Sequence, residues 1–217
     1  MDKRVMRWDV INLLINNFSI QAYLEIGLAD GATFFRVKAP RKLGVDPDTI
    51  PFWKGARAVG YQGKQDIIFK ERSDAFFGEL GRDMQPDLVF IDGLHKAEQV
   101  QKDIINSLNY LTPKGFIVLH DTLPPDESYA TEMPTHLAPS GRYLWCGDVW
   151  RIFNWLWKQE NLWFGSVDED YGCTIITRGA LAERISPPNN FKEFKANQSI
   201  IARVFNFEAI LDELHNA

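Results

Sequence analysis

Along the first half of the chain, short unbroken apolar runs alternate with stretches of helical periodicity. Ala22–Ile26, Leu43–Val45, Asp66–Phe69, Leu88–Ile91 and Phe116–Leu119 read as five strands. Continuous apolar runs of this length mark parallel strands covered on both faces. Val10, Leu13, Leu14 and Phe18 give an amphipathic helix before the first strand. Ser73 stands where it can cap a helix carrying Ala75, Phe76, Phe77 and Leu80. Val100, Ile104, Leu108 and Leu111 recur at helical spacing, and Pro113-Lys114-Gly115 ends that unit. Repeated strand–helix–strand units predict right-handed crossovers and a doubly wound sheet.

The pattern changes after Asp121. Leu123 to Gly147 holds four prolines and two glycines and reads as a long loop. Asp148–Lys158 reads as a helix. Leu162–Val167 and Cys173–Thr177 read as two strands whose tight connection, Asp168-Glu169-Asp170, makes them antiparallel. The tail carries Pro187-Pro188-Asn189-Asn190 and ends in an expected helix, Phe205–Leu214. The predicted fold class is α/β: a doubly wound, mostly parallel seven-stranded sheet with a C-terminal antiparallel hairpin. Residues 1–182 would form the main domain, and 183–217 a helical tail packed on it.

Composition narrows the options. The 217 residues are 45% hydrophobic and 24% charged, a globular balance with enough apolar surface for one α/β core. The formal net charge of −5 argues against a general nucleic-acid binder. Basic residues cluster at Lys3, Arg4 and Arg7, and again from Arg36 to Lys42; both clusters read as solvated faces. No apolar run approaches the roughly 18 residues of a membrane span, and Met1–Val10 lacks the apolar segment of a signal peptide. The two cysteines, Cys146 and Cys173, either pair or stay as thiols; nothing demands pairing, so a cytoplasmic location is expected.

In open parallel sheets, ligands bind beyond the carboxyl ends of the strands. Strand one runs into Glu25-Ile26-Gly27-Leu28-Ala29-Asp30-Gly31, and strand two ends in Asp46. Strand three leads to Ser73-Asp74, strand four ends in Asp92 and strand five in His120-Asp121. Each strand delivers a polar group to one rim. Gly27 and Gly31 let the chain turn close to a ligand. Their spacing is not G-x-G-x-x-G, and Asp30 sits inside the loop, which disfavours a pyrophosphate. Asp46 is either a ribose acceptor or a turn aspartate before Pro47.

Glu25-Ile26-Gly27 with Gly31, Gly44-Val45-Asp46-Pro47-Asp48, Ile91-Asp92-Gly93-Leu94-His95, Leu111-Thr112-Pro113-Lys114-Gly115 and His120-Asp121-Thr122 occur in this order. Together they resemble class I S-adenosylmethionine-dependent methyltransferases with a Rossmann-like fold. Within that group the chain is similar to small-molecule O-methyltransferases of the catechol and macrolide-sugar type. The resemblance covers about Tyr23 to Thr122. It implies that Glu25, Gly27 and Gly31 surround the methionine part of the cofactor and that Thr33 reaches its carboxylate. It further implies that Asp46 holds the ribose and that Ser73 and Asp74 flank the adenine, with Asp92 also lining the cofactor site. Ser73 can equally be a plain helix cap.

Asp92 and Asp121 would converge at the ends of adjacent strands, and two carboxylates in one cleft repel unless a cation or proton lies between them. Mg²⁺ or another divalent cation would suit the pair and would lower the pKa of a bound hydroxyl. His95 would take the hydroxyl proton as general base, beside a catalytic Asp92. Thr122 departs from the amide or carboxylate that catechol-type enzymes place there. His120, where a related group carries an acid, would be the third metal ligand and would suit Mn²⁺ or Zn²⁺ better. In the metal-free alternative, Asp92 orients ligand, Asp121 caps a turn and His120 is a core histidine.

Five of the seven tryptophans lie between Tyr143 and Trp163. Trp150, Phe153 and Trp157 share a helical face, as core or as the interface of a homodimer, while Trp145, His136 and Arg142 are loop candidates for touching substrate. The reading is a methyltransferase acting on a hydroxyl of a small molecule, with neither nucleic acid nor membrane as partner. Its rivals are a nicotinamide-dependent oxidoreductase and a non-catalytic cofactor-binding module.

Overall fold

The computed structural model describes residues 4–63, 65–79, 84–135, 137 and 144–216. Helix α1 (Arg7–Asn17) precedes β1 (Ala22–Ile26), β2 (Arg41–Val45), α2 (Ile50–Val59), β3 (Ile67–Phe69), α3 (Ser73–Glu79), β4 (Leu88–Ile91), α4 (Ala97–Tyr110) and β5 (Phe116–Leu119). A 3₁₀ turn (Val149–Ile152) leads into α5 (Phe153–Leu156), β6 (Leu162–Val167) and β7 (Cys173–Arg178). The chain closes with α6 (Phe191–Ala196), α7 (Gln198–Ile201), β8 (Val204–Phe205) and α8 (Ile210–His215). The sheet has eight strands in the order β3-β2-β1-β4-β5-β7-β6-β8.

Three expectations are corrected. The sheet gains an eighth strand, because Phe205, placed at the start of the expected final helix, pairs together with Val204 in parallel with Ser166-Val167. Arg203 adopts φ +49°, its carbonyl accepts from the Ser166 amide at 3.1 Å, and the Phe205 ring stacks on Trp163. A β-branched and an aromatic residue tied this way favour a strand over a helix. The helix expected over Asp148–Lys158 divides into the 3₁₀ turn and the single turn of α5. Helix α2 was not foreseen: Pro51 in its first turn and Gly55 within it mask the pattern, and only Phe52 and Ala56 are buried. Leu80, His136 and Arg142 lie outside the described residues.

The chain divides into two compact units. The first, Met6–Leu94 with Lys102–Val118, contains four parallel strands. Their apolar runs explain their burial: no residue of β1 or β4 is exposed. Val10, Ile11 and Leu14 of α1 are fully buried. Register fixes a common end, since Ile26 lies opposite both Val45 and Ile91, and Val45 opposite Phe69. The ladder continues one step further, through Gly27 N–H to Val45 O, Asp46 N–H to Phe69 O and Asp92 N–H to Ile26 O. Gly27, Asp46 and Asp92 therefore leave their strands at one level.

The second unit, His95–Gln101 and Leu119–Ala217 with Met1–Val5, is built on the antiparallel pair β6 and β7. Trp150, Phe153, Trp157, Phe164 and Phe194 are buried there and meet ring to ring. The Trp157 indole donates to the Ile201 carbonyl at 2.9 Å. The tryptophan-rich segment is thus core, so the tryptophans that suggested a second copy are used inside the unit. Replacing Phe153 by alanine opens a cavity among these rings and is expected to cost about 3–5 kcal/mol in denaturant unfolding. A loss under about 1 kcal/mol would show that the rings do not hold this unit together.

Candidate active site

In the first unit, the loop after β1 carries three left-handed residues, Gly27 (φ +91°), Ala29 (φ +45°) and Gly31 (φ +79°). A Cβ on Gly27 would come within 2.2 Å of the Asp92 carbonyl oxygen, so glycine here lets the ends of β1 and β4 touch backbone to backbone. Gly31 lies against the Phe35 ring. The Asp46 carboxylate binds this loop directly, since Oδ2 accepts from the amides of Leu28 (2.9 Å) and Ala29 (3.2 Å), and Oδ1 from Asp48 (2.8 Å). Asp46 is therefore a clamp on the glycine loop. Thr33 is buried, and its carbonyl accepts from Arg36 and Val37 within a run of turns. Ser73 opens α3 as its first residue, with Asp74 exposed beside it.

Below this rim lies a buried set of charges. Glu25 is 1% exposed and accepts from the Tyr23 hydroxyl at 2.5 Å. Burial, with the charge of Asp92, pushes Glu25 from the ordinary 4.5 up to about 8, against the lowering influence of the Tyr23 bond, Lys42 and Arg7. Burial likewise raises Tyr23. Lys42 is 6% exposed, donates to the Phe34 carbonyl at 2.8 Å and lies over the rings of Phe34 and Tyr61, with Asp66 at 3.8 Å. Its burial lowers its pKa. Arg7 donates to Asp92 Oδ2 at 2.7 Å. The expectation of solvated basic faces fails for both residues: Lys42 is buried, and Arg7 is paired with Asp92. A lone cation in a strand or a first helical turn carries no local sign of the acid it will meet.

In the second unit, His95 (φ +55°) has a close polar neighbour at each ring nitrogen. Nδ1 lies 2.9 Å from the Trp145 carbonyl, which only accepts, so Nδ1 carries the proton. Nε2 lies 3.2 Å from Asp121 Oδ2. The Trp145 ring stacks on the imidazole at 5.1 Å and is itself anchored by its indole N–H to the Thr131 carbonyl. Asp148 accepts the Ala97 amide at 2.7 Å and donates its own amide to the His95 carbonyl, fixing the turn into α4.

The nitrogens of His120 face carboxylates on both sides, Nδ1 at 3.3 Å from Asp121 Oδ2 and Nε2 at 3.6 Å from Asp170 Oδ2. Thr122, fully buried, accepts from the Thr174 hydroxyl, which also meets Ser166. By donor chemistry, His95 and Asp121 are the side chains of this unit suited to a divalent ion. Asp148, Trp145's carbonyl and Asp170 escaped sequence reasoning; Asp170 stood in view only as a turn residue.

Residues 24–122 match the profile of a family described as methyltransferase domain. The chain shares its Rossmann-like fold with solved structures of low identity. TomG, an O-methyltransferase from Streptomyces achromogenes solved with S-adenosylmethionine, is 15% identical over 80% of this chain and 80% of its own, with a TM-score of 0.57. A Podospora anserina methyltransferase is 16% identical over 79% and 77%, at 0.58. A Staphylococcus aureus protein described as a caffeoyl-CoA O-methyltransferase is 20% identical over 82% and 86%, at 0.61. Among curated proteins, none matches the chain significantly. No helix of the described residues is long and apolar enough to cross a membrane.

Glu25 gives the protein a pH signature. Its folded-state pKa of about 8 lies above the ordinary 4.5, so between these values the folded state keeps a proton that the unfolded state has released. Stability is then fully present below about 4.5 and falls as pH rises toward 8. The Glu25→Gln variant should lose this slope and gain on the wild type by a few kcal/mol across the window, as read by urea unfolding. Parallel pH curves for the two proteins would refute a neutral Glu25.

Proposed function

We propose that the chain transfers a methyl group from S-adenosylmethionine to a hydroxyl of a small molecule, sugar- or phenol-like, with His95 as general base. The observation that carries this reading is the fixed imidazole. The Trp145 carbonyl keeps the proton on Nδ1, so Nε2 is the basic nitrogen, and Asp121 stands beside it to stabilise the ring once charged. When bound, the cofactor supplies an electrophilic methyl group on a sulfonium. Its net positive charge and lack of phosphate suit an acidic rim carrying Asp30 and Asp46 and disfavour a dinucleotide. Asp46 shapes the loop of Gly27 and Gly31 that would receive the methionine part, with Thr33 next to it. Ser73 and Asp74 would stand at the adenine. Neighbours named as O-methyltransferases support a hydroxyl acceptor. The buried Cys146 and Cys173 thiols support a cytoplasmic setting.

Proton transfer from the acceptor goes to His95 Nε2, and the resulting oxyanion is the nucleophile. Arg7 donates to Asp92 Oδ2 and sets a positive charge against that carboxylate. With Asp92 matched by Arg7 and Asp121 by the two imidazoles, the reaction needs no ion. The second reading, favoured by the donor chemistry of His95 and Asp121 in the second unit, has a divalent ion that would acidify the hydroxyl.

Replacing His95 by glutamine should lower kcat by about 10²- to 10⁴-fold and leave S-adenosylmethionine binding unchanged by calorimetry. An equal loss in both would remove the base assignment. Asp46→Ala should instead weaken cofactor binding by about tenfold or more, since it releases two loop amides. Turnover should survive EDTA; its loss, with recovery on adding Mg²⁺ or Mn²⁺, would establish the second reading.

A further inference from the structure

We infer that Asp170, on the turn between β6 and β7, is a positioning residue for methyl transfer: through His120 it fixes the Asp121 carboxylate against His95. The inference rests on the reading of His95 as the base. Three observations within the second unit carry it.

The first is a line of contacts. Asp170 Oδ2 lies 3.6 Å from His120 Nε2, His120 Nδ1 lies 3.3 Å from Asp121 Oδ2, and the same oxygen lies 3.2 Å from His95 Nε2. His120, Asp121 and Asp170 are 3%, 4% and 5% exposed. Burying two carboxylates and an imidazole is costly, and apolar residues would fill the same space more cheaply. Only His95, at the end of the line, has substantial exposure, with 22% of its side chain open.

The second is backbone strain. His95, Asp121, Asp170 and Tyr171 all take positive φ, at 55°, 60°, 49° and 67°, and they are four of the seven such non-glycine residues among those described. Left-handed backbone is costly for side chains of this size and persists where surrounding structure imposes it.

The third is what imposes it. The Tyr171 carbonyl accepts from the Leu123 amide at 2.9 Å, and the Gly172 carbonyl from the Thr122 amide at 3.5 Å. A Cβ on Gly172 (φ +91°) would come within 2.6 Å of the Leu123 nitrogen. The buried hydroxyls of Ser166, Thr174 and Thr122 form a chain between the same two segments. The hairpin turn is thus locked onto the stretch that carries His120 and Asp121, so the position of Asp170 sets theirs. The C-terminal hairpin therefore serves the chemistry as well as closing the sheet.

Asp170→Asn keeps the side-chain shape and removes its charge. Asp170→Gly removes the side chain and relieves the left-handed backbone, so it folds even where the first variant does not. Both are compared with wild type for S-adenosylmethionine binding by calorimetry, for transfer of a labelled methyl group to a panel of monosaccharides and catechols, and for the ring ¹H–¹⁵N signals of His95 and His120. The expected result is an unchanged cofactor Kd and KM, kcat reduced by about 10- to 100-fold, and displaced ring signals of His95 as well as His120. Wild-type kcat, or His95 signals identical to wild type in both variants, would overturn the proposal. A wild type that binds the cofactor and methylates nothing in the panel counts against the proposed function alone; the ring signals then decide whether Asp170 reaches His95.

Discussion

The register of β1 against its neighbours is the constraint on which the candidate chemistry depends. Ile26 lies opposite Val45 and Ile91, and Val45 opposite Phe69, so the first unit's strands stop at one level. A slip of one residue would turn every side chain of β1 to the other face. Glu25 and Tyr23 would turn together to the opposite face, and Gly27 would no longer stand where the Asp92 carbonyl needs room. Backbone hydrogen bonding thus places the acids, and the side chains then have to be matched for charge.

That matching decides how the site holds together. A buried carboxylate without a partner costs several kcal/mol, and each acid here meets the cost differently. Glu25 stays protonated up to about pH 8 and accepts from Tyr23. Asp92 takes a guanidinium from Arg7, Asp46 takes backbone amides, and Asp121 lies against two imidazoles. Neutralisation, ion pairing, amide capping and imidazole contact are separate solutions to one desolvation problem. The cations that complete them come from α1 and from β2, far apart in sequence.

This explains what could be read from the sequence. Strands β1, β4, β5 and β6 stand where their apolar runs placed them, because a buried parallel or hairpin strand is specified by a short local pattern. Asp92, His95 and Asp121 were visible because they follow such strands, and position after a strand is itself a local signal. Arg7, Lys42 and Asp170 were not, since a single charged residue looks the same whether water or an acid lies beside it. Strand β8 escaped for a related reason: two residues carry no period, and only the edge of β6 turns them into a strand. Helix α2 was hidden because its exposed Ile50, Trp53 and Val59 blur the apolar stripe that normally betrays a surface helix.

The proposed base role asks for a histidine with a single tautomer. A freely rotating imidazole exchanges its tautomers and offers either nitrogen. Here the Trp145 carbonyl accepts only from a protonated Nδ1, and the indole stacked on the ring prevents it from turning. Nε2 is then the single place for an incoming proton, and the carboxylate beside it makes arrival favourable. Phe, Leu or Gln at residue 145 could supply the same backbone carbonyl. None would cover the imidazole face and also donate to the Thr131 carbonyl, which ties the loop that carries the acceptor candidates to the base. Trp145 therefore acts through two independent groups, its carbonyl setting the tautomer and its ring setting the plane. Substitutions at this residue separate the two effects, because the carbonyl survives every change that removes the ring.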